Sequence, residues 1–341
     1  GPGSDDHSAL RDAYSRIGFK ADYQINDAVT GYAQFELPID IPNKAIQDPF
    51  NQSEDIRIAK IGVKGNFGNL AVGQMWMPYY NAIAYPVDMF SSYYSGFATF
   101  TSFRLGDTVT YYTPSWKGFS AAAAFSDENG NPTSSGTPDE RIQGTLSYSN
   151  GGLTVSGGID DFGGTNDTQL LGASLTWQAT DALYVGAKYE EFNSDKNTGT
   201  YGDDGDSAAN LYASYTIGKN TLKAMVANVD NYGDDILHLG VDHQYSKDLK
   251  FFVEYYSEDE AAAITDKRAG FTCTSCTGGS VITAGLRWDF GTSTDRQRQS
   301  ALAAESSPID FAFYASMRVA AESVDQDGPG SDDYSALRDA Y

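Results

Sequence analysis

The chain has 341 residues and a formal net charge of −23, from 46 acidic against 23 basic side chains. That balance argues against a nucleic-acid partner, because a phosphate backbone requires a Lys/Arg footprint. Its 35 Gly, 23 Tyr and 18 Phe favour β structure, and no stretch approaches the ~20 apolar residues of a transmembrane helix. A mean hydropathy of −0.41 does not exclude a membrane. A spanning β-strand requires only ~9–11 residues, apolar at alternate positions.

In chain order, residues 1–14 read GPGSDDHSALRDAY and recur at 328–341, with Tyr334 in place of His7. Nothing between the copies repeats, so this is a terminal overlap and not a solenoid. Residues 15–25, SRIGFKADYQI, place Ile17, Phe19, Ala21, Tyr23 and Ile25 on one face and Arg16, Gly18, Lys20, Asp22 and Gln24 on the other. Residues 28–37 repeat the pattern, with Val29, Ala33, Phe35 and Leu37 opposite Thr30, Tyr32, Gln34 and Glu36. Further strands are predicted at 55–65 and 69–77, followed by a long connection, 78–103, and then strands at 108–113 and 119–126. The series continues at 141–149, 153–160, 169–178, 183–193, 207–217, 221–229, 236–245, 249–257 and 281–290.

The connections alternate as well. IND, NFGN, PSWKG, SNGG, ATDA, GKN and SKD carry tight-turn chemistry, whereas 127–140 and 193–206 are long and polar. Short turns at one rim and long loops at the other are the build of an outer-membrane barrel. Tyr148, Trp177, Tyr189, Tyr215, Tyr245, Tyr255 and Trp288 stand near strand ends, as an interfacial girdle requires. Gln143, Thr145, Lys188, Glu190, Lys223, Asp242 and Glu254 fall on the opposite face and predict a wet lumen.

Cys273 and Cys276 form one C-x-x-C without a second ligand pair, which reads as a local disulfide in an exported protein and not as a metal site. Residues 291–308, GTSTDRQRQSALAAESSP, form a polar linker in which Ala301-Leu302-Ala303 has the form of a signal-peptide cleavage site. The last strand, 309–320, sets Phe311, Phe313, Ala315, Met317 and Val319 against Ala312, Tyr314, Ser316 and Arg318. A chain starting near Ala304, running through 309–341 and continuing at Ser15 would end at Phe290, so the order reads as circularly permuted. The histidines, His7, His238 and His243, stand in no nucleophile motif, so neither enzyme chemistry nor a cofactor is expected.

Rotated in this way, YSRIGFKADYQINDAVTGYAQFELP, IRIAKIGVKGNFGNLAVGQ, RLGDTVTYYTPSWKGFSAAAAF and VITAGLRWDF resemble strands of the general porins of Gram-negative bacteria. The resemblance implies an all-β, 16-stranded antiparallel transmembrane barrel with its third loop folded inward. It implies a homotrimer among lipid and lipopolysaccharide of the bacterial outer membrane, passing small hydrophilic solutes and ions by passive diffusion. On this frame residues 1–290 hold strands two to sixteen behind part of the first loop. Residues 291–308 are the linker, and 309–341 supply the first strand and the overlapping loop segment.

By position Arg16, Arg57 and Arg104 match the family's basic wall, and parity adds Lys20 and Arg318. The facing loop, 78–103, offers Asp88 and the phenols Tyr79, Tyr80, Tyr85, Tyr93 and Tyr94. It carries a single clear acid, and Gln74 stands where relatives often place Arg, so a weak transverse field is expected. The alternative is a surface protein acting as adhesin or receptor. The acidic stretches GIDDFGGTNDT and TYGDDGDSAAN leave Ca²⁺ or Mg²⁺ binding open, without the EF-hand spacing.

Overall fold

The computed structural model describes residues 7–47, 56–92, 98–127, 140–163, 167–197, 202–230, 233–259, 279–291 and 309–326. Alternation places opposite chemistry on the two faces of each strand, and the faces are inverted relative to a water-soluble protein. On the strand Asn220–Val229, Leu222 and Val226 are 46% and 52% exposed, whereas Lys223 is only 6% exposed. Apolar groups turned outward and charges turned inward fit a sheet whose external solvent is lipid and whose interior is wet.

The strands are β1 (His7–Asp12), β2 (Arg16–Asn26), β3 (Val29–Pro38), β4 (Ile58–Gly65), β5 (Gly68–Trp76), β6 (Arg104–Tyr112), β7 (Phe119–Ser126), β8 (Arg141–Asn150) and β9 (Leu153–Asp161). They continue as β10 (Gln169–Gln178), β11 (Leu183–Asn193), β12 (Ser207–Ile217), β13 (Asn220–Val229), β14 (Gly233–Gln244), β15 (Leu249–Glu258), β16 (Gly279–Gly291) and β17 (Ile309–Gln326). From β2 onward each strand pairs antiparallel with the next, and β17 pairs back onto β2, from Ile309 opposite Tyr23 to Ser316 opposite Arg16. β1 continues the line of β2 along the far half of β17, so the strands form sixteen staves of a closed antiparallel barrel. Closure leaves no long free edge in the ring, which an isolated sheet in lipid could not tolerate.

The predicted strands and short turns appear in place, with three differences. β6 begins at Arg104 rather than 108, because a register shift opposite Gly73–Met75 and a positive φ of 42° at Asp107 interrupt its alternation. β17 runs on to Gln326 because β16 and β1 flank it where its own alternation fades into Ala320, Ala321 and Glu322. Residues His7–Asp12, read as loop, form a strand. Trp177, Tyr189, Tyr215, Tyr245 and Trp288 stand exposed on the outer face near strand ends, with Tyr148 beside Phe119. Cys273, Cys276, Tyr93, Tyr94 and most of the linker lie outside the described residues.

Candidate functional site

Between β5 and β6 the chain makes two short helical turns, Tyr80–Ala84 and Tyr85–Val87, the second with a proline in its first turn. Residues 77–92 and 98–103 lie against the polar face of β8–β15, and strand side chains hold the segment's backbone along its length. Gln143 accepts from the Tyr79 amide at 2.9 Å, and the Ser174 hydroxyl donates to the Ala82 carbonyl at 2.6 Å. The Tyr184 hydroxyl donates to the Pro86 carbonyl at 2.9 Å. Glu254 accepts from the amides of Ser91 and Ser92 at 2.6 and 2.8 Å. Glu190 accepts from the Phe100 amide at 2.6 Å and the Thr99 hydroxyl at 2.7 Å.

The acids that do this work are themselves paired. Lys188 contacts Glu190 at 2.8 Å, Arg141 contacts Asp160 at 2.6 Å, and Lys223 lies 2.9 Å from Asp242 and 3.5 Å from Glu254. These buried charges are satisfied by partners and by segment amides together, as a low-dielectric site demands. Beneath the pairs sits a dry cluster that includes Tyr79, Ile83, Val87, Phe90, Phe100, Phe162 and Phe192.

Glycines make the close approach possible. Gly158 and Gly172 stand opposite each other on β9 and β10. A Cβ on Gly172 would come within 2.1 Å of the Tyr79 hydroxyl, and one on Gly186 within 2.4 Å of the Pro86 carbonyl oxygen. Tyr79 therefore rests on bare backbone, fully buried, with its hydroxyl 3.4 Å from Glu190. Burial, and after it the Glu190 and Asp160 carboxylates, push its phenol well above its ordinary value, so it stays a neutral donor.

Across the barrel, β2, β3, β16 and β17 present the basic wall. Glu36 lies at its centre, accepting from Arg57 Nε at 3.0 Å and from the Tyr314 hydroxyl at 2.9 Å, with Arg16 at 4.0 Å. Arg104 sits 4.7 Å and Arg57 5.9 Å from the Trp76 ring, and Lys20 is 5.3 Å from the ring of Tyr314. Arg318 donates to the Ser316 hydroxyl at 3.3 Å, and Arg287 pairs with Asp289 at 2.7 Å. Arg16 lies within reach of the charges of Arg57, Arg104, Arg287 and Arg318. A cavity of about 850 Å³ separates this wall from the segment. Arg16, Lys20, Gln34, Glu36, Arg287, Asp289 and Tyr314 line one side, and Trp76, Tyr80, Asn81 and Tyr85 line the other.

Of the residues expected here, Arg16, Lys20, Tyr80 and Tyr85 line the cavity. Arg57 and Arg104, 2% and 9% exposed, stand behind Trp76 and support the wall from within. Arg318 belongs to the same charge cluster without lining the cavity. Asp88 accepts from the Tyr80 hydroxyl at 2.7 Å and also stays off the lining. Tyr79 is a correction: the floor of glycines takes its ring away from the opening. Arg287 and Asp289 were missed, although they alternate with the exposed Leu286, Trp288 and Phe290, and parity alone would have turned them inward.

His238 is inward and fully buried, stacked on Phe90 with ring centroids 3.5 Å apart. Among the described residues, no three His, Cys, Asp or Glu side chains converge to hold a metal. Asp160, in the first acidic stretch, is committed to Arg141, and Asp203, in the second, lies 3.8 Å from Lys196.

A family model described as Gram-negative porin matches residues 2–263. The outer membrane porin PhoE of Enterobacter cloacae is 30% identical over 199 residues, 55% of each chain. Outer membrane porin F of Escherichia coli K12 is 26% identical over 197 residues, 52% of this chain and 54% of the relative. The chain thus spans about half the length of the curated relatives it matches. Among solved structures, an anion-selective porin from Comamonas acidovorans superposes with a TM-score of 0.54 at 14% identity, over 93% of this chain and 99% of that one. OmpF of Salmonella typhi in complex with daunomycin gives 0.55 at 14% identity, over 93% and 98%. Those likenesses speak to the fold alone. With the family model matched over well more than half its length, the chain belongs to the Gram-negative porins.

Proposed function

We propose that the barrel is a water-filled channel of the bacterial outer membrane through which small hydrophilic solutes and ions diffuse passively. The observation that carries this reading is the cavity left between the arginine wall and the face formed by Trp76 of β5 with Tyr80 and Tyr85 of the segment. On this reading residues 78–103 are the inward-folded third loop, and its described parts, 78–92 and 98–103, narrow the lumen on its β8–β15 side. A lining of this kind sorts solutes by size, by hydrogen bonding to phenol and amide, and by local charge, with no bond made or broken. The barrel works as a homotrimer among outer-membrane lipids and lipopolysaccharide. The resemblance of VITAGLRWDF, ending at Phe290, to the family's terminal strand supports a circularly permuted order with 291–308 as the joining linker.

Planar-bilayer recording tests the channel directly. Stable ohmic steps are expected, and insertion without conductance would sink the reading. The wall is tested by Arg16→Ala and Arg287→Ala. Removing one positive charge from the lining should shift the reversal potential toward cation preference. At ~4 Å a unit charge contributes ~1 kcal/mol in water, so the permeability ratio should change by about fivefold at most. The shift should shrink in concentrated salt. An unchanged reversal potential in both variants would show that ions do not pass along this wall.

A further inference from the structure

The two walls of the cavity differ in chemistry. On one side Trp76 and Tyr85 present rings to the opening, and Tyr85 is 51% exposed. Behind them Tyr80 stacks on Trp76 with centroids 4.9 Å apart, and it lies 4.7 Å from the ring of Phe103 and 6.2 Å from that of Tyr85. The Tyr80 hydroxyl donates to Asp88, so its polar tip is taken up within the segment and its ring backs the aromatic face.

On the far wall the carboxylates are committed and two cations are not. Glu36 accepts from Arg57 Nε at 3.0 Å and from the Tyr314 hydroxyl at 2.9 Å, and Asp289 pairs with Arg287 at 2.7 Å. Asp248 follows Lys247 in its turn. Arg16 reaches Glu36 only at 4.0 Å, beyond hydrogen-bond distance, which leaves its fork of N–H donors without a planar acceptor. Lys20 lies 5.3 Å from the Tyr314 ring and meets no carboxylate among the described residues. Both stand on β2 to either side of Gly18, where a Cβ would come within 2.6 Å of the Tyr314 ring, so that ring rests on bare backbone between the two cations.

We infer that this cavity binds aromatic carboxylates, solutes that join a planar apolar ring to a single carboxylate. The inference rests on the channel reading above and names a solute class for it. A carboxylate offers Arg16 two parallel acceptors in the geometry a guanidinium matches best, and Lys20 adds a second positive charge along the same strand. The acid nearest to it, Glu36, is already neutralised by Arg57. The ring is left to lie against Trp76 and Tyr85, in the offset or edge-on contact that aromatic pairs prefer. A small aliphatic anion gains the first of these contacts alone, and a neutral aromatic solute gains only the second. An aromatic cation meets Arg16 and Lys20 as like charges. The volume of about 850 Å³ falls within the ~300–1,000 Å³ of pockets that hold small organic ligands.

Block of the full chain in a planar bilayer tests this, with potassium chloride carrying the current and sodium benzoate, sodium acetate or benzamide added to one side. Benzoate should reduce the single-channel current at a concentration about fivefold lower than acetate or benzamide requires, the factor expected of one aromatic pair. Trp76→Leu and Tyr85→Leu should each narrow the gap between benzoate and acetate. Arg16→Gln should narrow the gap between benzoate and benzamide. If Trp76→Leu fails to fold, the exposed Tyr85 carries the ring test alone. Equal potency of benzoate and acetate in a conducting channel overturns the inference and leaves the channel reading standing. Equal potency of benzoate and benzamide does the same. A benzoate preference that survives both Tyr85→Leu and Arg16→Gln also overturns it, because the solute then binds elsewhere. A chain that inserts without conducting overturns the channel reading itself.

Discussion

Glu190→Ala is expected to release the segment before β6 from the β8–β15 face, raising single-channel conductance and lowering stability by ~3–5 kcal/mol. The size follows from what Glu190 holds. Its carboxylate pairs with Lys188, whose side chain has no exposed surface, and accepts from the Phe100 amide and the Thr99 hydroxyl. Removing it leaves a buried ammonium with the Ala98 carbonyl at 2.8 Å and only the more distant Asp88 carboxylate as counter-charge, and takes an acceptor from two groups of the segment. The Lys188→Met/Glu190→Leu double variant separates the two effects. It buries no orphan charge, so most of the stability should return. The segment's amide still lacks its acceptor, so the conductance should stay high. Conductance that falls back together with stability would show that Glu190 acts on the fold alone. Glu254→Ala should cost less, because Lys223 keeps Asp242 at 2.9 Å.

Gly172→Ala should act in the opposite direction on conductance. Its new methyl would meet the Tyr79 hydroxyl at 2.1 Å and Ile83 at 2.8 Å, and both atoms belong to the segment. The barrel wall behind Gly172 is continuous sheet, so the segment yields toward the cavity. A narrower opening is expected, with an overpacking cost of ~1–3 kcal/mol. Tyr79→Phe removes the nearer clashing atom, and the double variant should recover much of both conductance and stability. Such recovery is the non-additivity expected of residues in contact. Purely additive losses would show that Tyr79 does not rest on this glycine.

Much of the barrel was legible because lipid outside and water inside impose a strict period of two, and β2, β8 and β13 each wrote it over ten or more residues. Parity also turned Lys188, Glu190, Lys223 and Glu254 inward. It could not tell that these residues face protein rather than water, because their partners lie more than eighty residues away in a segment with no period at all. The same lack of period misplaced Tyr79. Adjacent tyrosines in a helical turn point to different sides, and which side faced the opening was decided by Gly158 and Gly172, far along the chain. β1 escaped notice because six residues flanked by polar loop hold too little alternation to register. Its strand character comes from β17.

The dry cluster beneath the segment has a mechanical consequence. Close-packed interiors compress little. The β10–β15 flank therefore rests on a solid wedge of Phe, Ile and Val, whereas the arginine flank borders the cavity. Such a barrel is stiff on one side and compliant on the other. Squeezed by the surrounding bilayer, it would flatten along the side that borders the cavity and keep its round outline where it is braced.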